Sequence, residues 1–334
     1  MKFVITGTAG FIGNNLALKL LAQGHTVFGV DAVTDYYDVQ LKRDRLALCE
    51  AYDNFTACEI RLEDNAALTD VFDRCRPDVV IHLAAQAGVR YSLDHPREYV
   101  DTNVIGSFNI TELSKIHAVK HLIIASTSSA YGASEDYPFI ETQAAPHPLT
   151  IYAATKLASE LIAHSHSSLH QIPTTILRFF SVYGPWGRPD MAFYLFTDKI
   201  MKGETIDVFN HGKLQRDFTY IDDLTAGIEA LIPCIPETGK PVGAHDSLSP
   251  VAPYRLVNIG NGAPVELMDY IDAIETSIGQ TAKKNMIEMQ PGDVKQTYAN
   301  SDLLYDLTGY RPSTDFREGI AKFVAWYKAY YAGR

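Results

Sequence analysis

Lys2-Phe3-Val4-Ile5-Thr6-Gly7-Thr8-Ala9-Gly10-Phe11-Ile12-Gly13 begins with an apolar, β-branched run, passes through three evenly spaced glycines, and leads into a helical pattern from Asn14 to Gln23. Strand, glycine-rich turn and helix in that order are the context a dinucleotide-binding turn requires. Gly7 permits the tight turn, Gly10 lets the backbone approach a pyrophosphate, and Gly13 allows the helix to close on the strand. The first N–H groups of the helix then face the phosphates. The spacing is G-x-x-G-x-x-G rather than G-x-G-x-x-G, so the flanking elements carry the reading more than the glycines do.

Working outward, Thr26 to Val30 reads as a second strand ending at Asp31, about 20 residues beyond the glycines. A carboxylate there accepts hydrogen bonds from the adenosine ribose and repels a 2′-phosphate, which selects NAD over NADP. Phe55 to Ile60 is the expected third strand, with Glu59 and Ile60 near the adenine, and Asp78 to Leu83 the fourth. His82, inside that apolar strand, reads as a satisfied core histidine. Ala84-Ala85-Gln86-Ala87-Gly88 is a small-residue turn suited to lying against a flat cofactor. A long helix is expected from Tyr99 to His117, containing Asn103, then a strand at Leu122 to Ala125 and another at Thr174 to Phe180.

This alternation predicts an α/β fold, a doubly wound parallel (Rossmann) sheet. Residues 1–180 are expected to form the NAD-binding domain. From residue 181 the rhythm breaks into turn-rich sequence, so 181–334 is expected to form a smaller C-terminal substrate-binding lobe. It is interleaved with the large sheet, as at Leu256-Val257-Asn258-Ile259-Gly260.

The stretch from Ala125 to Lys156 holds the candidate chemistry. Thr127 ends an apolar strand, where open α/β sheets place their ligands. Tyr152 and Lys156, four residues apart, share one face of a helix for which Thr150 is the expected cap. A phenol with a pKa of about 10 is a poor base near neutrality, but an adjacent ammonium favours the phenolate. Alone, the pair also describes an exposed tyrosine and a solvated lysine; what precedes it in the chain gives it weight.

The composition bounds the function class. With 334 residues, 46% hydrophobic and 21% charged, the chain fits a globular protein with ample core. A net charge of −11 argues against nonspecific nucleic-acid or anionic-membrane binding, and makes an anionic substrate depend on local arginines. The four cysteines, Cys49, Cys58, Cys75 and Cys234, show neither a C-x-x-C pair nor metal spacing. They read as reduced thiols of a cytoplasmic protein, with no metal expected. Neither a signal peptide nor a membrane span is read in the sequence.

Taken together, Gly7/Gly10/Gly13, Asp31, His82-Leu83-Ala84-Ala85, Thr127, Tyr152/Lys156 and Arg216-Asp217-Phe218 resemble the extended short-chain dehydrogenase/reductase superfamily, in particular its nucleotide-sugar epimerases and dehydratases. Within it, longer segments are similar to the UDP-glucuronate 4-epimerases. These are Asp35-Tyr36-Tyr37-Asp38, Ala87 to Ser92, Arg178 to Ala192, and Ala252 to Asn261. The resemblance implies that Phe11, Ile12, Leu83, Ala84, Ala85, Gln86 and Asn103 join the glycines, Asp31, Glu59, Ile60, Tyr152 and Lys156 around NAD. It assigns Tyr152, Lys156 and Thr127 to catalysis, and Arg90, Ser128, Ser129, Ser181, Arg188, Arg216 and Asp293 to a UDP-glucuronate/UDP-galacturonate substrate. It also implies a homodimer through the Tyr99–His117 and Tyr152–His170 helices. Two positions depart from the pattern: Ser181 stands where threonine or asparagine is usual, and Glu59 where aspartate is usual.

The implied reaction removes the 4-hydroxyl proton with Tyr152 while hydride passes from C4 to NAD, then returns the hydride to the other face of the 4-keto sugar. Dehydratases of this superfamily carry Asp-Glu after the threonine, and UDP-glucuronate decarboxylases usually a glutamate at the second position and arginine after Gly-Pro. Here those positions are Ser128, Ser129 and Trp186. Serines cannot act as carboxylate acids or bases, which favours epimerisation. UDP-glucose 4-epimerase remains an alternative, as does an NAD-sensing regulator, although such regulators lose the tyrosine or lysine retained here.

Overall fold

The computed structural model describes residues 1–332 apart from Pro146 and Pro291. Its strands, in chain order, are β1 (Lys2–Thr6), β2 (Thr26–Asp31), β3 (Phe55–Glu59), β4 (Val79–His82), β5 (His121–Thr127), β6 (Thr174–Phe179), β7 (Ser181–Tyr183), β8 (Thr205–Phe209), β9 (Gln215–Tyr220), β10 (Tyr254–Ile259), β11 (Pro264–Glu266) and β12 (Lys283–Ile287). Seven of them form one parallel sheet in the order β10-β6-β5-β4-β1-β2-β3.

The central strands β1, β4 and β5 are buried on both faces, which is why they read as continuous apolar runs. Alternate side chains feed separate cores. Phe3, Ile5, Ile81, Ile123 and Leu177 enter one cluster; Val4, Val80, Leu122, Ile124 and Ile176 enter the other. Each such fully buried side chain contributes roughly 1.5–3 kcal/mol.

Strand order reverses at β1, with β2 and β3 on one side and β4, β5, β6 and β10 on the other. The cleft beyond the carboxyl ends of β1 and β4 is therefore where an open α/β sheet binds ligands. Gly7 follows β1 with φ +85° and donates its N–H to Val30 O at 2.6 Å. A Cβ on Gly7 would lie 2.9 Å from Ala84 N, so the two strand ends close on each other only because residue 7 has no side chain.

The helix Ile151–His170 starts where its cap is expected: Thr150 Oγ1 accepts the Ala153 N–H at 3.2 Å. The region expected as one helix from Tyr99 to His117 is broken. A helical turn at Pro96–Tyr99 passes into a π-helical stretch, Val100–Gly106, before regular helix resumes at Ser107–Ile116. Within that stretch the Asn103 amide pairs with the backbone of Gln86. Its Oδ1 accepts the Gln86 N–H at 2.8 Å and its Nδ2 donates to Gln86 O at 3.0 Å. A wider turn that aims a side chain at a nearby loop is a common use of π geometry.

Beyond residue 180, β11-β9-β7 and β12-β8 form two small sheets, while β10 returns to pair in parallel with β6. No helix among the described residues is long and apolar enough to cross a membrane.

Candidate active site

Two adjoining cavities occupy the cleft. The first, about 510 Å³, is lined by Gly7, Gly10, Phe11, Ile12, Gly13, Asp31, Ile60, Leu83, Ala84, Ala85, Gln86, Tyr152 and Lys156, among others. The second, about 920 Å³, is lined by Arg90, Thr127, Ser128, Ser129, Tyr152, Ser181, Arg188, Arg216 and Asp293, with others. Tyr152, Ser126, Tyr36 and Arg188 are among the residues facing both.

The first cavity fits a dinucleotide. Gly10 is the N-cap of the helix Phe11–Ala22 and contributes no side-chain cap, and a Cβ at Gly13 would lie 2.0 Å from Gly7 O. The turn thus presents bare backbone at a helix N-terminus, a place for phosphate. Asp31 is committed on both oxygens: Oδ2 accepts the Ala9 N–H at 3.0 Å and Oδ1 the Val33 N–H at 2.8 Å. Burial raises its pKa, and these two bonds with Lys42 and Arg45 oppose the rise.

His82 is the satisfied core histidine expected for its strand. Thr6 Oγ1 accepts the N–H groups of Leu83 and Ala84 at 3.1 and 3.0 Å, so its own proton goes to His82 Nδ1 at 2.8 Å. The ring proton is then on Nε2, facing Ser107 Oγ at 3.0 Å. Burial, with Lys156 nearby, lowers its pKa to about 3 and keeps the ring neutral. Its role is to shape the Leu83–Ala84 turn.

Tyr152 sits at the junction of the cavities. Burial pushes its phenol above the ordinary value, while the Thr127 hydroxyl and Arg188 pull it back. Burial also lowers the Lys156 ammonium to about 8, against the opposing pull of Glu160. Glu160 is itself held by Arg178, at 3.0 Å to Nε and 2.7 Å to Nη2, and by the Ser126 hydroxyl. The main chain is fixed as well: Thr127 Oγ1 accepts the Ser129 N–H at 3.1 Å, setting the start of the Ser128–Tyr131 turn.

The cations of the second cavity are already engaged. Arg188 forks onto Asp190, at 3.0 Å from Nε and 2.5 Å from Nη2; Arg216 Nη2 lies 3.0 Å from Asp293 Oδ1; Arg90 lies over the Phe209 ring at 4.6 Å. Two expected cofactor residues are not brought to the cavity. Glu59 projects to the surface, gripped by Arg43 at 2.6 and 2.7 Å, because it ends β3 with its side chain turned toward the Val39–Glu50 helix. Asn103 is buried behind the lining, its amide used by Gln86 and by Thr155 Oγ1 at 3.1 Å. Conversely, Tyr36, Lys42 and Asp190 face the cavities, although the sequence assigns none of them to the site. Tyr36 donates to Asp190 Oδ2 at 2.9 Å across 154 residues, a distance no spacing rule reaches.

A parallel doubly wound sheet with a glycine turn at a helix N-terminus and a Tyr-x-x-x-Lys helix at the cleft is the architecture of a dinucleotide-binding enzyme, and the chain belongs to the NAD dependent epimerase/dehydratase family, whose model matches residues 3–239. A probable UDP-glucuronate 4-epimerase of Rhizobium meliloti (strain 1021) is 51% identical over 334 residues, covering 99% of this chain and 98% of that protein. UDP-glucuronate 4-epimerase 4 of Arabidopsis thaliana is 42% identical over 335 residues, covering 99% of this chain and 76% of its own. The crystal structure of UDP-glucuronic acid 4-epimerase from Bacillus cereus in complex with UDP-glucuronic acid and NAD superposes with a TM-score of 0.88 at 32% identity, covering 99% of this chain and 100% of that one.

Proposed function

We propose that the protein interconverts UDP-glucuronate and UDP-galacturonate by inverting C4 through a transient 4-keto sugar. One observation carries the reading: Tyr152, on the same lining as Thr127, faces both cavities at their junction. Only a group in that place reaches a sugar hydroxyl on one side and a nicotinamide on the other. NAD held in the first cavity would supply a reversible hydride acceptor for C4, so no net oxidation would result.

The remaining steps belong to the chain. Tyr152 removes the 4-hydroxyl proton and returns it, and Thr127 holds the same oxygen. Lys156 supplies a buried positive charge that favours the phenolate and holds the ribose. The glycine turn seats the pyrophosphate, with Asp31 and Ile60 at the adenosine end. Arg216, Arg188 and Arg90 neutralise the UDP diphosphate; Asp293 orients Arg216.

A 4-keto glucuronate is a β-keto acid and loses CO₂ when its carboxylate bond overlaps the carbonyl π system. Ser128, Ser129 and Ser181 offer hydroxyl donors around the sugar pocket to hold that bond in plane. Neither Ser128 nor Ser129 supplies the carboxylate that elimination or decarboxylating relatives use, which supports epimerisation.

We further propose a cytoplasmic homodimer. Phe108 on one helix and Leu161 and Leu169 on the next leave large apolar side chains exposed, the last two at 71% and 73%. Two copies of such a helix pair bury these faces against each other. Incubation with UDP-glucuronate and no added cofactor tests the activity. UDP-galacturonate is the expected product; UDP-pentose as the main product would replace the reading with decarboxylation.

A further inference from the structure

Arg45 is a fully buried arginine, and its surroundings are unusual for a charge. All five of its N–H donors are used, and none goes to a carboxylate. Nε and Nη2 donate to Trp186 O at 3.1 and 2.7 Å, and Nη2 also to Gly187 O at 2.8 Å. Nη1 donates to Ala9 O at 3.2 Å and to the Tyr37 hydroxyl at 2.7 Å. A guanidinium is the one side chain with a five-donor planar fork; an ammonium has three donors and a different shape.

These contacts join two parts of the site far apart in sequence. Ala9 lies in the glycine turn of the first cavity, and its N–H is held by Asp31. Trp186 and Gly187 lead directly into Arg188 and Asp190 of the second. The turn needs restraint: Trp186 adopts φ +62°, a left-handed conformation unfavourable for a bulky residue, and a Cβ at Gly187 would lie 2.5 Å from the Phe193 ring. The other end of the turn is tied to the same segment of chain, where Tyr36 donates to Asp190.

We propose that Arg45 is a positioning residue for the nucleotide-sugar site. It fixes the Trp186–Asp190 turn against the dinucleotide turn, so that Arg188 is presented to the diphosphate in one orientation. The inference rests on the reading of the second cavity as the UDP-sugar pocket. It goes beyond that reading by assigning affinity for the sugar nucleotide to a residue that touches no ligand.

The test uses the full-length protein with its retained cofactor. Arg45→Lys and Arg45→Met are compared with the parent for bound NAD content, UDP affinity by calorimetry, and kcat and KM. The parent's own turnover and UDP binding check the underlying reading separately. UDP affinity should fall by between about ten- and a hundredfold, with KM rising more than kcat falls, while NAD retention, which Arg45 supports only through Ala9 O, should fall by less. In an Arg188→Ala background the Arg45 substitutions should change UDP affinity by less than about twofold, because the group they position is gone. Losses that multiply across the two sites, or NAD affinity falling as much as UDP affinity, would overturn the proposal. If the Arg45 variants do not fold, Tyr36→Phe releases the other end of the turn without burying an orphan charge. The same dependence on Arg188 is then expected, and independence from it overturns the proposal equally.

Discussion

Glu160 and Arg178 form a buried, bidentate ion pair one helical turn beyond Lys156, with closest approach 2.7 Å. Their side chains are only 6% and 4% exposed, so the pair acts in a medium where charge is weakly screened. Its carboxylate opposes the burial that lowers Lys156 to about 8. The ammonium is the form that supports the Tyr152 phenolate, and it is lost as pH rises through about 8. The kcat–pH profile should therefore carry an alkaline limb, and Glu160→Gln/Arg178→Met should move that limb to lower pH. An unmoved limb would show that another group sets it. Glu160→Gln alone, which orphans Arg178, should lower unfolding free energy by about 3–5 kcal/mol in a denaturant titration.

Tyr152→Phe removes the hydroxyl proposed to react and leaves the ring, its packing against Tyr99 at 6.1 Å included. Turnover should fall by about 10²–10⁴. UDP binding by calorimetry should stay within a few-fold, since the diphosphate and uridine contacts are untouched. Near-normal kcat would remove Tyr152 from the chemistry.

Asp31 bears on cofactor choice in two ways. In the proposed reading its carboxylate rejects a 2′-phosphate, and it also pins the Ala9 N–H of the glycine turn. Apo protein should bind NAD much more tightly than NADP. Asp31→Ser should narrow that preference and weaken NAD as well, because the turn loses its anchor. Equal affinity of the parent for both cofactors would show that Asp31 does not face the ribose.

Ser181→Ala, alone or with Ser129→Ala, removes a hydroxyl from the lining of the second cavity, proposed to hold the sugar carboxylate. A hydrogen bond to a charged group is worth about 1.5–3 kcal/mol, enough to let the carboxylate rotate into overlap in a fraction of turnovers. Epimerisation should slow, and UDP-pentose or its 4-keto form should appear by chromatography. A variant that is slower yet releases no CO₂ above the parent's background would assign the restraint to another group.

The parts of this molecule legible in its sequence are those whose meaning is local. Val4 and Val80, buried from both sides, announce their strands; Thr150 announces a cap; Gly7 and Gly13 are required by contacts within one turn. What escaped depends on partners distant in the chain. The π stretch at Val100–Gly106 accompanies a pairing between Asn103 and Gln86 that periodicity does not encode. Glu59, at the end of β3, is expected at the adenine from sequence, but Arg43, on the neighbouring helix, claims its carboxylate. Arg188 could be named as a cation near the substrate; that Asp190 and Tyr36 orient it, and Arg45 its turn, depends on contacts made across the folded chain.

The central claim is that hydrogen leaves C4 and returns to C4 within a single binding event. UDP-glucuronate carrying deuterium at C4 tests it directly, with product UDP-galacturonate isolated and its C4 label measured by mass spectrometry and NMR. The account predicts full retention of deuterium at C4 with inverted configuration, in buffer without added NAD. Replacement of the label by solvent hydrogen, or its transfer to exogenous NAD, would contradict it.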